Sequence, residues 1–74
     1  MKVYLRTSRA RAEAILATGF SGRVRLSRLP TGRGQVTLEV DLPEEALEPH
    51  RNKGQGWTVP AEVLNRLARF RFAG

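Results

Sequence analysis

Arg23-Val24-Arg25-Leu26-Ser27 and Gln35-Val36-Thr37-Leu38-Glu39-Val40-Asp41-Leu42 alternate strictly between polar and apolar side chains. That is the period of a strand with one wet face and one buried face. Between them lies Pro30-Thr31-Gly32-Arg33-Gly34, which has the composition of a turn, so the two runs are predicted to form a β-hairpin. Matching the apolar faces sets Leu26 opposite Leu38 and Val24 opposite Val40. Arg25 then faces Glu39, Arg23 faces Asp41 and Ser27 faces Thr37, with ~0.2–1 kcal/mol expected from each opposite-charge pair.

The flanking chain supplies the remaining elements. Met1–Arg6 reads as a strand with Val3 and Leu5 on one face and Tyr4 on the other. Thr7 or Ser8 can cap a helix from about residue 8 to 18, which puts Ala12, Ile15 and Leu16 on one stripe. Gly19 stands where a left-handed C-cap is wanted, and Phe20 returns to the core. Pro43-Glu44-Glu45 opens a short helical turn that Pro49 is expected to stop, with Ala46 and Leu47 inward. Residues 50–56 read as a polar loop and Trp57–Val59 as a short strand. Pro60 starts a last helix to about Leu67, with Val63, Leu64 and Leu67 inward and Glu62–Arg66 as an i,i+4 pair. Arg69-Phe70-Arg71-Phe72 alternates again and reads as a terminal strand. The order is β-α-β-β-α-β-α-β, an α+β fold over 1–74 as one domain, with a mixed or antiparallel sheet and helices on one face.

Composition bounds the function. The 74 residues carry 13 Lys+Arg against 7 Asp+Glu, a net charge of +6, with no cysteine and one histidine, His50. Without cysteine there is no disulfide scaffold and no thiolate metal site. No apolar run approaches the ~20 residues of a membrane span, and the first twenty residues lack the apolar stretch of a signal peptide, so a cytoplasmic domain is expected. About twenty large apolar residues make a core with a thin margin, which leaves room for a homodimer. Eleven of the basic residues are arginine, the better fork for phosphate.

The candidate chemistry is sparse. Arg6, Arg9, Arg11, Arg28 and Arg33, if they share a face, would bind an anion such as nucleic acid or a nucleotide; the plainer reading is a solvated surface. Trp57 with Tyr4 could stack a base, but Trp57 reads first as core. His50, Asp41 and a serine make no nucleophile elbow, and the two Gly-x-Gly stretches at 32–34 and 54–56 are turns rather than phosphate loops. Glu44, Glu45 and Glu48 near Asp41 read as complements to a helix dipole, so no metal and no cofactor is expected.

Three stretches carry a resemblance. Val3-Tyr4-Leu5-Arg6-Thr7-Ser8 with Ala14-Ile15-Leu16 and Gly19-Phe20 resembles the opening of small bacterial ADP-ribosyltransferase-like proteins and RNA 2′-phosphotransferases. Val24-Arg25-Leu26-Ser27, Val36–Pro43 and Val59-Pro60-Ala61-Glu62-Val63-Leu64-Asn65 resemble later segments of such proteins. The resemblance implies a polar catalytic residue, often His, where this chain has Leu5. It also implies a glutamate near Gln55, Gly56 or Trp57, none of which is an acid. What it implies here is a shortened form without the catalytic pair, because an oxocarbenium-like transition state needs a nearby carboxylate. The leading expectation is a non-catalytic binding or accessory domain for an anionic partner. The alternatives are a minimal enzyme of that kind using Arg6, Thr7 and Ser27 around a nucleotide, and a protein-interaction module.

Overall fold

A computed structural model describes residues 1–30 and 35–73. In chain order the described elements are β1 (Lys2–Thr7), α1 (Arg9–Thr18), β2 (Arg23–Leu26), β3 (Val36–Asp41), α2 (Glu44–Leu47), β4 (Trp57–Pro60), α3 (Ala61–Leu67) and β5 (Arg69–Phe72). The α+β class and the order of elements are those read from the sequence. A 3-10 turn, Glu48–His50, follows α2 directly, so Pro49 sits inside a helical turn and does not end it.

The hairpin does not form. β3 pairs antiparallel with β1 on one side and with β5 on the other, while β2 pairs antiparallel with β4 in a separate two-stranded sheet. Leu38 therefore stands opposite Leu5 and Phe72, and Leu26 stands opposite Trp57. The expected partners of Arg25 and Arg23 are replaced by Thr58 and Pro60. Glu39 instead takes Arg71, whose Nε donates to Glu39 Oε2 at 3.0 Å, and Asp41 Oδ1 accepts from the Met1 amino group at 3.2 Å. The turn assigned to Pro30–Gly34 lies outside the described residues, apart from Pro30 itself.

The two sheets touch at one bridge. Tyr4 and Ser27 exchange backbone hydrogen bonds of 2.8 Å in both directions, which sets β2 against the flank of β1 away from β3. β2 and β3 thus lie on opposite sides of β1. Arg6, on the outer face of β1, ties the chain leaving β2 to β3: its Nη1 donates to Thr37 Oγ1 at 3.0 Å and lies 3.5 Å from the Pro30 carbonyl oxygen.

The core occupies the other face. Val3, Leu5, Leu38 and Val40 from one sheet join Val24, Leu26, Trp57 and Val59 from the other, and Ala12, Ile15, Leu47, Ala61 and Leu64 close it from the helices. Ser8 caps α1, its Oγ accepting from the Arg11 N–H at 3.2 Å. Leu16 and Leu67 were expected in this core, yet they are 41% and 50% exposed. Leu16 follows the buried Ile15 one position around the helix, and Leu67 is the last residue of α3, where the helix ends three residues after the buried Leu64. Glu62 and Arg66 form no ion pair; an exposed pair gains too little to fix two long side chains. Pro60 ends β4 and precedes α3 rather than opening it, as Pro43 precedes α2. Among the described residues no helix is long and apolar enough to cross a membrane.

One polar side chain joins the helical layer. Gly19 ends α1 at φ +92°. At the next residue, the Phe20 N–H donates to Asn65 Oδ1 at 2.8 Å, and Asn65 Nδ2 donates to the Phe20 carbonyl at 3.0 Å. This pair of hydrogen bonds from α3 holds the exit of α1, so that Phe20 is buried with its ring edge-on to Phe70, centroids 4.9 Å apart. Asn65→Ala leaves both backbone groups of Phe20 without protein partners and is expected to cost about 1–3 kcal/mol. A chemical denaturation midpoint measures this, and an unchanged midpoint contradicts the clamp.

Candidate functional site

The outer sheet face and a cleft beside it hold the exposed chemistry. On β1, β3 and β5 the outward side chains form an acidic centre between two basic flanks. Lys2 and Arg69 stand at the level of Asp41, and Arg71 at the level of Glu39. Arg69 and Arg71, which the sequence left uncommitted, face these acids. Arg23 and Arg25, which the sequence had paired, are exposed with no carboxylate opposite.

The cleft opens at the end of β2. Its volume is about 450 Å³. Leu47 and Trp57 form the apolar part, Trp57 being only 8% exposed, and Leu29 adds an apolar edge at 61% exposure. Arg28 and Arg51 contribute two guanidinium groups, and Glu44 is the one carboxylate among the described residues of the lining. Neither arginine makes a side-chain ion pair or hydrogen bond within the described residues. Short backbone links order the wall that carries Gln55: Arg51 bridges to Trp57, and the Asn52 N–H donates to the Gly56 carbonyl at 3.0 Å. Thr58 Oγ1 adds a bond of 3.0 Å to Asn52 Oδ1.

The predicted site residues scatter around this cleft. Arg28 lines it, and so does Ser27, whose Oγ lies 3.4 Å from the carbonyl oxygens of Tyr4 and Leu29. Arg6 is half-buried and engaged with Thr37 and Pro30. Thr7 ends β1, its carbonyl accepting from the Gln35 N–H at 3.1 Å. Arg9 and Arg11 are exposed on α1, in the helical layer across the sheet from Arg23 and Arg25. Arg33 lies outside the described residues. The nucleotide constellation of Arg6, Thr7 and Ser27 is therefore not gathered in the cleft, since only Ser27 reaches it. Leu5 is buried against the core. Gln55, Gly56 and Trp57 do line the cleft, without an acid among them.

Arg51 was missed because its neighbours read as a bare polar loop. Its place follows from the bridge to Trp57, which no local pattern announces. Among the described residues, no group of three or more His, Asp or Glu side chains gathers to hold a metal ion. No family model, curated protein or solved structure matches the chain.

Gly56 fixes the cleft wall. Its φ is +80°, and a Cβ built there drives into the Leu26 carbonyl oxygen, which is backbone and cannot move aside. Gly56→Ala is expected to destabilise the fold by more than the ~1 kcal/mol typical of a strained glycine site and to displace Trp57. A shifted Trp57 emission maximum together with a lowered melting temperature checks this; a variant with the parent's spectrum and stability contradicts it.

Proposed function

We propose that this domain is a non-catalytic binding module that takes an anionic, nucleotide-type ligand in the Arg28–Arg51 cleft. The observation that carries the reading is the coincidence of two uncommitted guanidinium groups with an apolar wall of Leu47 and Trp57 in one cleft. Ligand sites combine mostly apolar walls with a few placed polar groups, and arginine is the residue suited to bidentate phosphate recognition. In this reading Arg28 and Arg51 bind the phosphate, and Leu29, Leu47 and Trp57 take the flat ring. Glu44 accepts hydroxyl or amino donors of the same ligand. Phosphates this close to a carboxylate bind through the arginines, which outnumber it.

The absence of a catalytic assignment rests on chemistry. Among the described residues Glu44 is the one acid in the cleft lining, and no histidine lines it beside Ser27 to take its proton. The resemblance to ADP-ribosyltransferase-like proteins agrees with a nucleotide ligand, and the residues at its catalytic positions argue against turnover.

Titration with a nucleoside diphosphate such as ADP, followed by Trp57 fluorescence, is expected to give a saturable change. Arg28→Ala and Arg51→Ala should each weaken binding by about tenfold or more, as expected for loss of a hydrogen bond to a charged group. A flat titration, or one that the double variant leaves intact, contradicts the proposal.

A further inference from the structure

The geometry points to a second, independent surface: the outer face of β2, where Arg23 and Arg25 form a track for the backbone of a single-stranded nucleic acid. The two side chains are exposed on the same face of one strand, two residues apart, which sets their Cα atoms about 7 Å apart. That spacing is of the order of successive phosphates along an extended strand. Across the sheet they meet Thr58 and Pro60, which carry no charge. Neither arginine has a side-chain hydrogen bond or ion pair among the described residues. On the other flank, Arg6 stands two residues along β1 from Tyr4, the residue bridged to Ser27, and adds a third positive charge to the outer face, its guanidinium held by Thr37 and Pro30. The strand pairing produces this patch. By giving Glu39 to Arg71 and Asp41 to the Met1 amino group, it leaves Arg23 and Arg25 with no ion pair among the described residues.

The same arrangement selects a single strand over a duplex. A duplex laid across this face needs a second basic row for its other backbone. The row on the far edge of the face is Arg69 and Arg71, and between it and β2 stand Glu39 and Asp41 of β3, with Lys2 and Arg6 of β1 each already set beside a β3 partner, Asp41 and Thr37. These carboxylates face Arg69 and Arg71 and repel a second phosphate backbone. Arg9 and Arg11 cannot serve, because α1 is on the opposite layer. A single strand running along β2 meets the cations and avoids the acids.

Fluorescence anisotropy with labelled single-stranded oligonucleotides of about 12 nucleotides, oligo(U) and oligo(dT), tests this across a salt series. The parent is expected to bind at low salt, with affinity falling linearly on a log–log plot. Removing two phosphate contacts in Arg23→Gln/Arg25→Gln should flatten that slope by about 1.4, and Arg23→Gln alone by about 0.7. The Arg23→Lys/Arg25→Lys variant should keep the parental slope, and Arg9→Gln/Arg11→Gln should leave it unchanged. Absence of binding by the parent, an unaltered slope in the glutamine variants, an equal loss from the helix variant, or a duplex bound as tightly as the single strand each overturns the proposal. Because the readout is the oligonucleotide and the substitutions lie outside the cleft lining, a failed ADP titration leaves this result standing, and the reverse holds too.

Discussion

Both edges of β3 are occupied, and the rest of the structure follows from that. With β1 on one side and β5 on the other, Leu38 and Val40 are fully buried. A central strand that satisfies its backbone groups on both sides has no edge left for β2. β2 must then find its partner elsewhere, and it does so with β4, which places Trp57 and Val59 against Leu26 and Val24. β2 and β3 stand on opposite sides of β1, and Arg6 of β1 reaches both Pro30, after β2, and Thr37 in β3.

The elements were legible in the sequence; their partners were not. Ser8, Gly19 and Phe20 announced the limits of α1 because capping and positive φ are local demands. The strands were legible because alternation is local too. Pairing is not, and here two strands carry the same pattern: Arg23-Val24-Arg25-Leu26 and Arg69-Phe70-Arg71-Phe72 both alternate arginine with a large apolar residue. Either one complements Glu39 and Asp41 equally well, so charge matching could not separate them. Proximity in sequence favours the nearer strand. The fold uses the distant one, and β1 occupies the other edge of β3.

That exchange also decides where the charge of +6 is felt. Half of the outer face is neutralised by facing acids, and half is not. The cleft lies at the unneutralised end, where Arg28 follows β2 and Arg51 is brought in by the loop before β4. Sequence reasoning found Arg28 as one arginine among several, and it could not find Arg51, whose relevance depends on a loop folding back onto Trp57. The arginines of α1 drop out for a geometric reason, since they stand in the helical layer, away from the exposed face of β2, and do not line the cleft. The resemblance drew attention to Leu5 and to residues 55–57. One of these positions is in the core, and the others are in the cleft wall.

The pairing of β3 is the claim on which the cleft, the divided charge and the role of Arg6 all rest. Interstrand backbone nuclear Overhauser effects in a protein of this size test it directly. The account predicts cross-strand contacts from the Leu38 backbone to Leu5 and Phe72, and from the Leu26 backbone to Trp57. Cross-strand contacts between the backbones of Leu26 and Leu38 would contradict it.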